Sequence, residues 1–429
     1  MFGFANFLLL ALFAAAVFDL IFALARGGGL RGALHGLWNT PHLLFGQQLA
    51  EWRLQLGRIL FAAGLAAYEI SVVFCNSMAR QNWAWVQGVM SPVLEWLAFL
   101  CFGAKILFGT RYTWRELLAG GALYFIARWV YFNSQNIWWI GIVVAVLAAK
   151  DVPLRRPLQV YFASGWAAMA VVLALHFAGI VAPDLTSERM GALRGTYGYG
   201  HPNTFGGLVF GLVLAYALLR AQKVRWVDCL LVFAIGVFLL VGPASRSAAL
   251  CTLALAVGLV FCRLRAGHSV PRWWPGTCAG MVGLTAAVSY LLPLLVIKVG
   301  PWNNDIGPAW LAKLDSLLTC RISLTWMAYR LLDVKIAGQV FNWPTVDNSF
   351  AFALFQFGPV VAALLGILFA AALWGHAKQG RRVEVCCLFA MLAYAYMEVQ
   401  PFHLTTNPTA LLLCGAVFAQ TSARWQKIE

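Results

Sequence analysis

From Phe4 to Ala25 the chain carries one charged side chain, Asp19, and from Phe357 to Leu373 it carries none. A helix needs about 20 largely apolar residues to cross the hydrocarbon of a bilayer. Repeated runs of this kind do not suit a soluble fold, where most helices keep a wet face. Composition agrees: 62% of the 429 residues are hydrophobic and 11% are charged, against about 25% charged in soluble domains. A soluble globular domain, a disordered chain and a disulfide-stapled module are excluded. Outer-membrane barrel strands alternate apolar and polar residues with a period of two, and these runs do not. In lipid the backbone must satisfy its own hydrogen bonds, which a helix does within one segment. The expected fold is therefore an all-α, polytopic integral membrane protein.

Apolar segments long enough to span, or nearly so, lie at 4–25, 59–77, 84–108, 116–132, 136–149, 158–181, 204–220, 227–243, 247–262, 276–297, 348–374, 384–398 and 408–421. The short pair 116–132 and 136–149 can also be one bent hairpin, so about 11–13 transmembrane helices are expected. The whole of 1–429 reads as one membrane domain. No Lys or Arg precedes the first run, whereas Arg26 and Arg31 follow it. A secretory signal has its positive charge in front, so the first run reads as a retained span with its N-terminus outside. With that orientation every inner loop is basic, as the positive-inside rule requires, and the C-terminus is cytoplasmic. Residues 33–57 alternate apolar and polar positions behind Thr40-Pro41 and read as a cytoplasmic, in-plane helix. Two outer stretches are long: 182–203, and 298–347, which contains Trp310, Leu311, Leu314, Leu317 and Leu318 at helical spacing. The second is expected to fold as short helices on the outer surface.

The net charge of +15 comes as small clusters between apolar runs, so it orients the chain and touches anionic lipid rather than nucleic acid. The ten cysteines show no CxxC pair and no metal-ligand spacing with histidine; they read as small buried hydrophobes. No metal and no cofactor is expected.

Five outer-face constellations can carry chemistry. In Arg194-Gly-Thr-Tyr-Gly-Tyr-Gly-His201-Pro-Asn203-Thr204, a His and an Arg meet the start of a helix that Asn203 or Thr204 can cap. A GxxxG pattern at Gly207 and Gly211 follows, suited to close helix packing. Ser245-Arg246-Ser247 sits at a span junction, where an Arg flanked by serines makes a phosphate fork. Thr319-Cys320-Arg321 precedes Thr325 and Trp326 in the long outer loop. Gly338-Gln339 is followed by Asp347-Asn348-Ser349-Phe350, where Asp347 can be a helix N-cap or a general base. Glu398-Val-Gln400-Pro-Phe-His403 closes the penultimate span with a polar lining. Arginines favour bidentate phosphate or carboxylate. No Asp-x-Asp pair occurs, so arginine would do the charge neutralisation that a carboxylate-held metal does elsewhere.

The order of these motifs resembles the bacterial O-antigen ligase/polysaccharide polymerase superfamily, with the closest likeness to the repeat-unit polymerases of capsule and exopolysaccharide, over about residues 185–410. The resemblance implies a metal-independent glycosyltransferase of the cytoplasmic (inner) membrane. Its substrate would be an undecaprenyl-pyrophosphate-linked oligosaccharide on the outer face, and its further partners membrane lipid, a flippase and a chain-length regulator. It implies pyrophosphate binding by Arg246, Arg321 and Arg194. The ligase branch has a His before the Asn at the Asp-Asn position; here Asp347 stands there, so the base is Asp347 or His201 or neither. Asn203, Asn348, Glu398 and His403 would support the site. Direct displacement implies inversion at the anomeric carbon. Two alternatives stay open: a ligase that moves a finished glycan to another acceptor, and a lipid-linked glycan transporter, for which Asp19, Glu69, Glu95 and Arg128 inside the spans would be the internal charges.

Overall fold

The computed structural model describes residues 2–26, 29–46, 50–181, 187–189, 192–296 and 307–418. These are overwhelmingly helical, with two short antiparallel strand pairs. Among the described residues eight helices are long and apolar enough to cross a membrane: Asn6–Ala25, Ala50–Cys75, Val86–Phe108, Arg155–Phe177, Pro202–Leu219, Arg246–Leu264, Trp274–Leu295 and Pro359–Lys378. Ile137–Ala148, Trp226–Val241 and Pro408–Val417 are shorter apolar helical segments. Large apolar side chains point outward along them, among them Phe7, Leu10, Phe13, Val227, Leu230 and Val241. In water such patches would drive association; in a bilayer they face lipid tails. The chain is an all-α, multi-pass membrane protein.

Three elements depart from the sequence reading. The in-plane helix expected over 33–57 is broken. A helix runs over Leu30–Asn39, His42–Leu43 pairs with Arg111–Tyr112 as strands, and residues from Ala50 belong to the long helix Ala50–Cys75. The reason is Pro41, which disfavours helical backbone at the residue before it; Thr40 thus ends one helix rather than starting another. The run 348–374 is not one helix. A short helix Ser349–Phe352 passes into a wider π turn, Ala353–Phe357, and stops at Gly358 before Pro359–Lys378 begins. Proline suits a helix's first turn, where its missing N–H costs nothing. The final run, 408–421, is described to residue 418 and consists of a 3₁₀ stretch, Pro408–Leu413, and one turn of α-helix, Cys414–Val417. Within 182–203, Ser187–Arg189 pairs with Ala192–Arg194 as a strand hairpin; the other residues of 182–191 lie outside the described set, as does 297–306.

The chain divides into two compact units: Met1–Arg128 with Ile140–Thr204 and Ala410–Glu429, and Trp129–Trp139 with Phe205–Thr409. In the first, the helix Ala50–Cys75 packs on Ser91–Phe108 and on Arg155–Phe177, burying Phe61, Leu65, Phe99, Phe102 and Tyr161. Among the described residues the salt bridges shown do not join Asp19, Glu69, Glu95 and Arg128 to one another. Asp19 faces His42 at 3.5 Å, and Arg128 Nε donates to Asn6 Oδ1 at 2.9 Å. Two lysines of the basic loops, Lys105 and Lys150, are buried. Lys105 Nζ donates to Thr110 Oγ1 at 2.7 Å and to the Lys150 carbonyl. Lys150 Nζ donates to the Arg111 carbonyl at 2.6 Å and pairs with Glu116 and Asp151 at 3.4 and 3.6 Å. These charges tie the 109–116 and 150–151 turns together instead of meeting solvent.

In the second unit, Arg246–Leu264 packs on Trp226–Val241 and on Arg382–Met397, and Trp274–Leu291 packs on Pro359–Lys378. The described part of the long loop forms two short helices, Ala309–Leu317 and Arg321–Leu331, as the leucine spacing leads one to expect. Their apolar faces close on Val296, Leu311 and Ile322 at one end and on Val346, Ala351 and Phe355 at the other.

Candidate functional site: a buried arginine clamp in the second unit

The turn between the two loop helices sets the site. Thr319 and Cys320 both have left-handed backbone, at φ 61° and 64°, a conformation costly for residues with a Cβ. Asp315 holds it. Its Oδ1 accepts from the Ile322 and Ser323 amides at 2.8 and 3.1 Å, and its carbonyl accepts from Cys320 N–H at 2.8 Å. The start of the helix Arg321–Leu331 is thereby capped from within the chain, and Arg321, its first residue, is turned inward.

Arg321 is 7% exposed. Its Nη2 donates to Glu398 Oε1 at 2.6 Å and to Ser247 Oγ at 3.3 Å, Nη1 donates to the Leu318 carbonyl at 2.9 Å, and Nε donates to the Met397 carbonyl. The Ser247 hydroxyl donates to Glu398 Oε1 at 2.8 Å. One guanidinium thus joins the long loop, the Ser-Arg-Ser junction and the chain just beyond the helix Arg382–Met397. The resemblance implied pyrophosphate binding by Arg321; its guanidinium here meets a protein carboxylate and backbone carbonyls. Burial pushes the Glu398 carboxyl above the ordinary glutamate value; Arg321 and the Ser247 hydroxyl oppose that shift, and the charge of Asp347 adds to it.

Arg246 stands next to Ser247, half-buried, as the first residue of the helix Arg246–Leu264. The 19-residue helix presents its positive dipole end there. Next to Glu398, Asn348 and not Asp347 is the N-cap of Ser349–Phe352. Its Oδ1 accepts from the Phe350 and Ala351 amides at 2.9 and 3.1 Å, and its Nδ2 donates to Ser289 Oγ at 3.1 Å. The Ser349 hydroxyl donates to the Glu398 carbonyl at 2.5 Å. Because Asn348 takes the capping role, the half-buried Asp347 carboxylate has no hydrogen-bond or ion-pair partner among the described residues.

The Gly-Gln pair is a backbone lock. Gly338 has φ +74°, and a Cβ there would lie 2.0 Å from the Gln356 carbonyl oxygen; Gly358 has φ +88°, and a Cβ there would lie 2.1 Å from the Ile336 carbonyl oxygen. Gln339 N–H donates to the Gln356 carbonyl at 3.2 Å. Close approach also explains Gly206 and Gly207, where a Cβ would meet Ser245 Oγ at 2.3 Å and Gln400 Oε1 at 1.9 Å. This adjacent pair, rather than a GxxxG spacing alone, lets the helix Pro202–Leu219 lie against the serine junction and the Gln400 segment. His403 packs on Trp138, with ring centres 3.8 Å apart. Burial lowers its pKa to about 3, so the ring is neutral and offers no positive charge to an anion.

Arg194, His201 and Asn203 belong to the first unit, where they form a local cluster. Pro202 has no N–H, so the first amide that needs a partner is that of Asn203, and it donates to His201 Nδ1 at 3.1 Å. His201 is therefore the cap expected of Asn203 or Thr204. The Asn203 side chain instead accepts from Arg194 Nη2 at 3.0 Å. Accepting that bond occupies the Nδ1 lone pair of His201, which leaves Nε2 carrying the proton in the neutral ring.

The spacing of the motifs did not pick out Asp315. An acidic residue on an otherwise apolar helix face, seven positions before the amide it caps, leaves no local pattern. Among the described residues no group of three or more His, Cys, Asp or Glu side chains is placed to hold a metal ion. Comparison with protein-family models, with curated proteins and with solved structures finds no match.

Proposed function

We propose that the protein is a membrane glycosyltransferase that polymerises undecaprenyl-pyrophosphate-linked oligosaccharide repeat units on the outer face of a bacterial cytoplasmic membrane. The observation that carries this reading is the clamp of Arg321, Glu398 and Ser247, buried in a multi-pass membrane protein, with Arg246 adjacent to Ser247 in the chain and the Asp347 charge near enough to act on Glu398. Arg246 at a helix start is suited to a pyrophosphate, since guanidinium and helix dipole both favour an anion. Arg321 is then a positioning residue: it fixes Ser247, and so the helix turn that carries Arg246. Asp347 takes the proton from an acceptor sugar hydroxyl. The hydroxyl oxygen bonds to the anomeric carbon of a second lipid-linked chain, the bond from that carbon to the phosphate oxygen breaks, and lipid pyrophosphate leaves against Arg246. Attack opposite the leaving group inverts the carbon. His201, Asn203 and Arg194 serve the outer end of their own helix in this scheme.

The test uses purified protein and one synthetic lipid-linked repeat, in the presence of a chelator. A ladder of extended glycans supports the proposal. Arg246→Ala and Asp347→Asn, each folded and expressed, should abolish the ladder. A ladder that forms only after a second acceptor is added would assign the ligase reaction instead. Accumulation of repeats inside cells rather than outside would favour transport.

A further inference from the structure

Two thiols of the second unit stand close enough to react with each other. Cys262 lies in the last turn of the helix Arg246–Leu264 and Cys386 in the second turn of Arg382–Met397. Their Sγ atoms are 3.6 Å apart, although 124 positions separate them in the chain. The approach is fixed by its surroundings. Arg382 Nη1 donates to the Arg265 carbonyl at 2.5 Å, and Nη2 donates to the His268 carbonyl. That guanidinium ties the start of one helix to the end of the other. Cys386 is four positions after Arg382 and Cys262 three before Arg265, so both thiols stand one turn in from the tie. Beyond them Gly258 makes the room. A Cβ there would lie 3.0 Å from Cys386 Sγ and 3.2 Å from Cys386 Cβ. Gly258 is one turn before Cys262, on the same face.

A disulfide holds its sulfurs about 2.05 Å apart, so the pair would have to close by about 1.5 Å. Access differs between the two. Cys262 is 7% exposed, whereas Cys386 is half-buried. A small oxidant therefore reaches Cys386 first, and Cys262 is placed to attack the product. Redox-sensing cysteines combine an accessible thiol with a resolving thiol beside it in this way. Two further thiols, Cys229 and Cys387, lie near enough for Cys262 to act on them, and they are the competing partners to be tested.

We propose that Cys262 and Cys386 are a reversible dithiol–disulfide pair, oxidised by hydrogen peroxide. The Cys386 sulfur attacks one peroxide oxygen, the O–O bond breaks, and the other oxygen leaves as water with the thiol proton. Cys386 is then a sulfenic acid. The Cys262 sulfur bonds to the Cys386 sulfur, the S–O bond breaks, and a second water leaves with the Cys262 proton. The two sulfurs give up two electrons in all, and the peroxide takes them. The bond staples Arg246–Leu264 to Arg382–Met397 at the end opposite the Arg321–Glu398 clamp. Ser247 and Cys262 are about 22 Å apart along their helix, so staple and clamp are separate devices. The half-buried position of Cys386 leaves the bond open to attack by a small thiol, which reverses it. Nothing in this assignment depends on the glycosyltransferase reading.

The experiment treats the full-length, detergent-solubilised protein with hydrogen peroxide, denatures it in excess maleimide and maps the unreduced peptides by mass spectrometry. A peptide linking Cys262 to Cys386 is expected, and it should vanish when dithiothreitol is added before the maleimide. The number of thiols that react should fall from ten to about eight, the change for one intramolecular bond. In a denaturing-detergent titration followed by tryptophan fluorescence, the midpoint of the oxidised protein should rise, since the bond closes a long loop in the unfolded chain, and reduction should return it. Cys386→Ser should lose the linked peptide and the rise, whereas Cys387→Ser should keep both. Cys386 carried on to sulfinic or sulfonic acid while Cys262 is still alkylated would overturn the proposal. So would a link to Cys229 or Cys387 instead, or a link between two chains. The peptide map of the unaltered protein decides among these, so the test stands even if a variant does not fold.

Discussion

Replacing Arg321 with methionine should unfold the site more than any surface charge change could. The guanidinium and the Glu398 carboxylate are 2.6 Å apart, with side chains 7% and 6% exposed. At an effective dielectric of about 20 and charge centres about 4 Å apart, their attraction is about 4 kcal/mol. Methionine removes that attraction and the bonds to Ser247, Leu318 and Met397, and it leaves Glu398 buried with the Ser247 hydroxyl. Breaking one side of a buried pair typically costs about 3–5 kcal/mol. The cost has a ceiling, because Glu398 can take up a proton once its partner is gone, at about 1.4 kcal/mol for each pH unit that the solution lies above the ordinary glutamate pKa. The expected loss at neutral pH is therefore about 3 kcal/mol, and it should shrink on acidification. The double variant Arg321→Met/Glu398→Leu should recover most of it, since an apolar pair of similar volume has no charge to desolvate. Tryptophan fluorescence during titration of the detergent-solubilised protein with a denaturing detergent reads all four states of the cycle. A single variant within about 1 kcal/mol of the parent protein, or a double variant worse than both singles, would refute the clamp as described.

Three further outcomes follow from the same geometry. Because the folded-state pKa of Glu398 is raised, the folded chain binds this proton before the unfolded chain does, so acidification through that range adds stability from this group while it breaks the ion pair; ladder formation should fall above the ordinary glutamate range with tryptophan fluorescence unchanged, and simultaneous loss of both would contradict this. Asn348→Ala removes two capping bonds and the bond to Ser289, and should cost about 1–2 kcal/mol in the same unfolding titration, where Asp347→Ala should cost under about 0.5 kcal/mol. Gly338→Ala places a methyl 2.0 Å from a backbone oxygen at φ +74°, and should abolish recovery of monodisperse protein on size exclusion, whereas Gly366→Ala, with open space around it, should leave the elution profile unaltered.

The unbroken apolar runs determined the class of this protein without any coordinates, because lipid forces the backbone into helices wherever charge is absent for about 20 residues. The helices of the long loop were legible too, since Leu311, Leu314 and Leu318 share one face and bury it. What the sequence could not decide was which polar side chain caps and which remains available. Asp347 and Asn348 are adjacent and both are good caps, and only the approach of Ser289 and the Phe350 and Ala351 amides selects Asn348. Basic residues counted toward orientation gave no sign that Lys105 and Lys150 are buried, because their partners lie up to 45 positions away. Nor does the sequence around Arg321 point to Glu398, 77 residues distant, which tertiary structure brings to its guanidinium. Hydrophobic periodicity is a local property and survives in one dimension; the pairing of charges depends on which distant turns meet, and that is settled only when the helices pack.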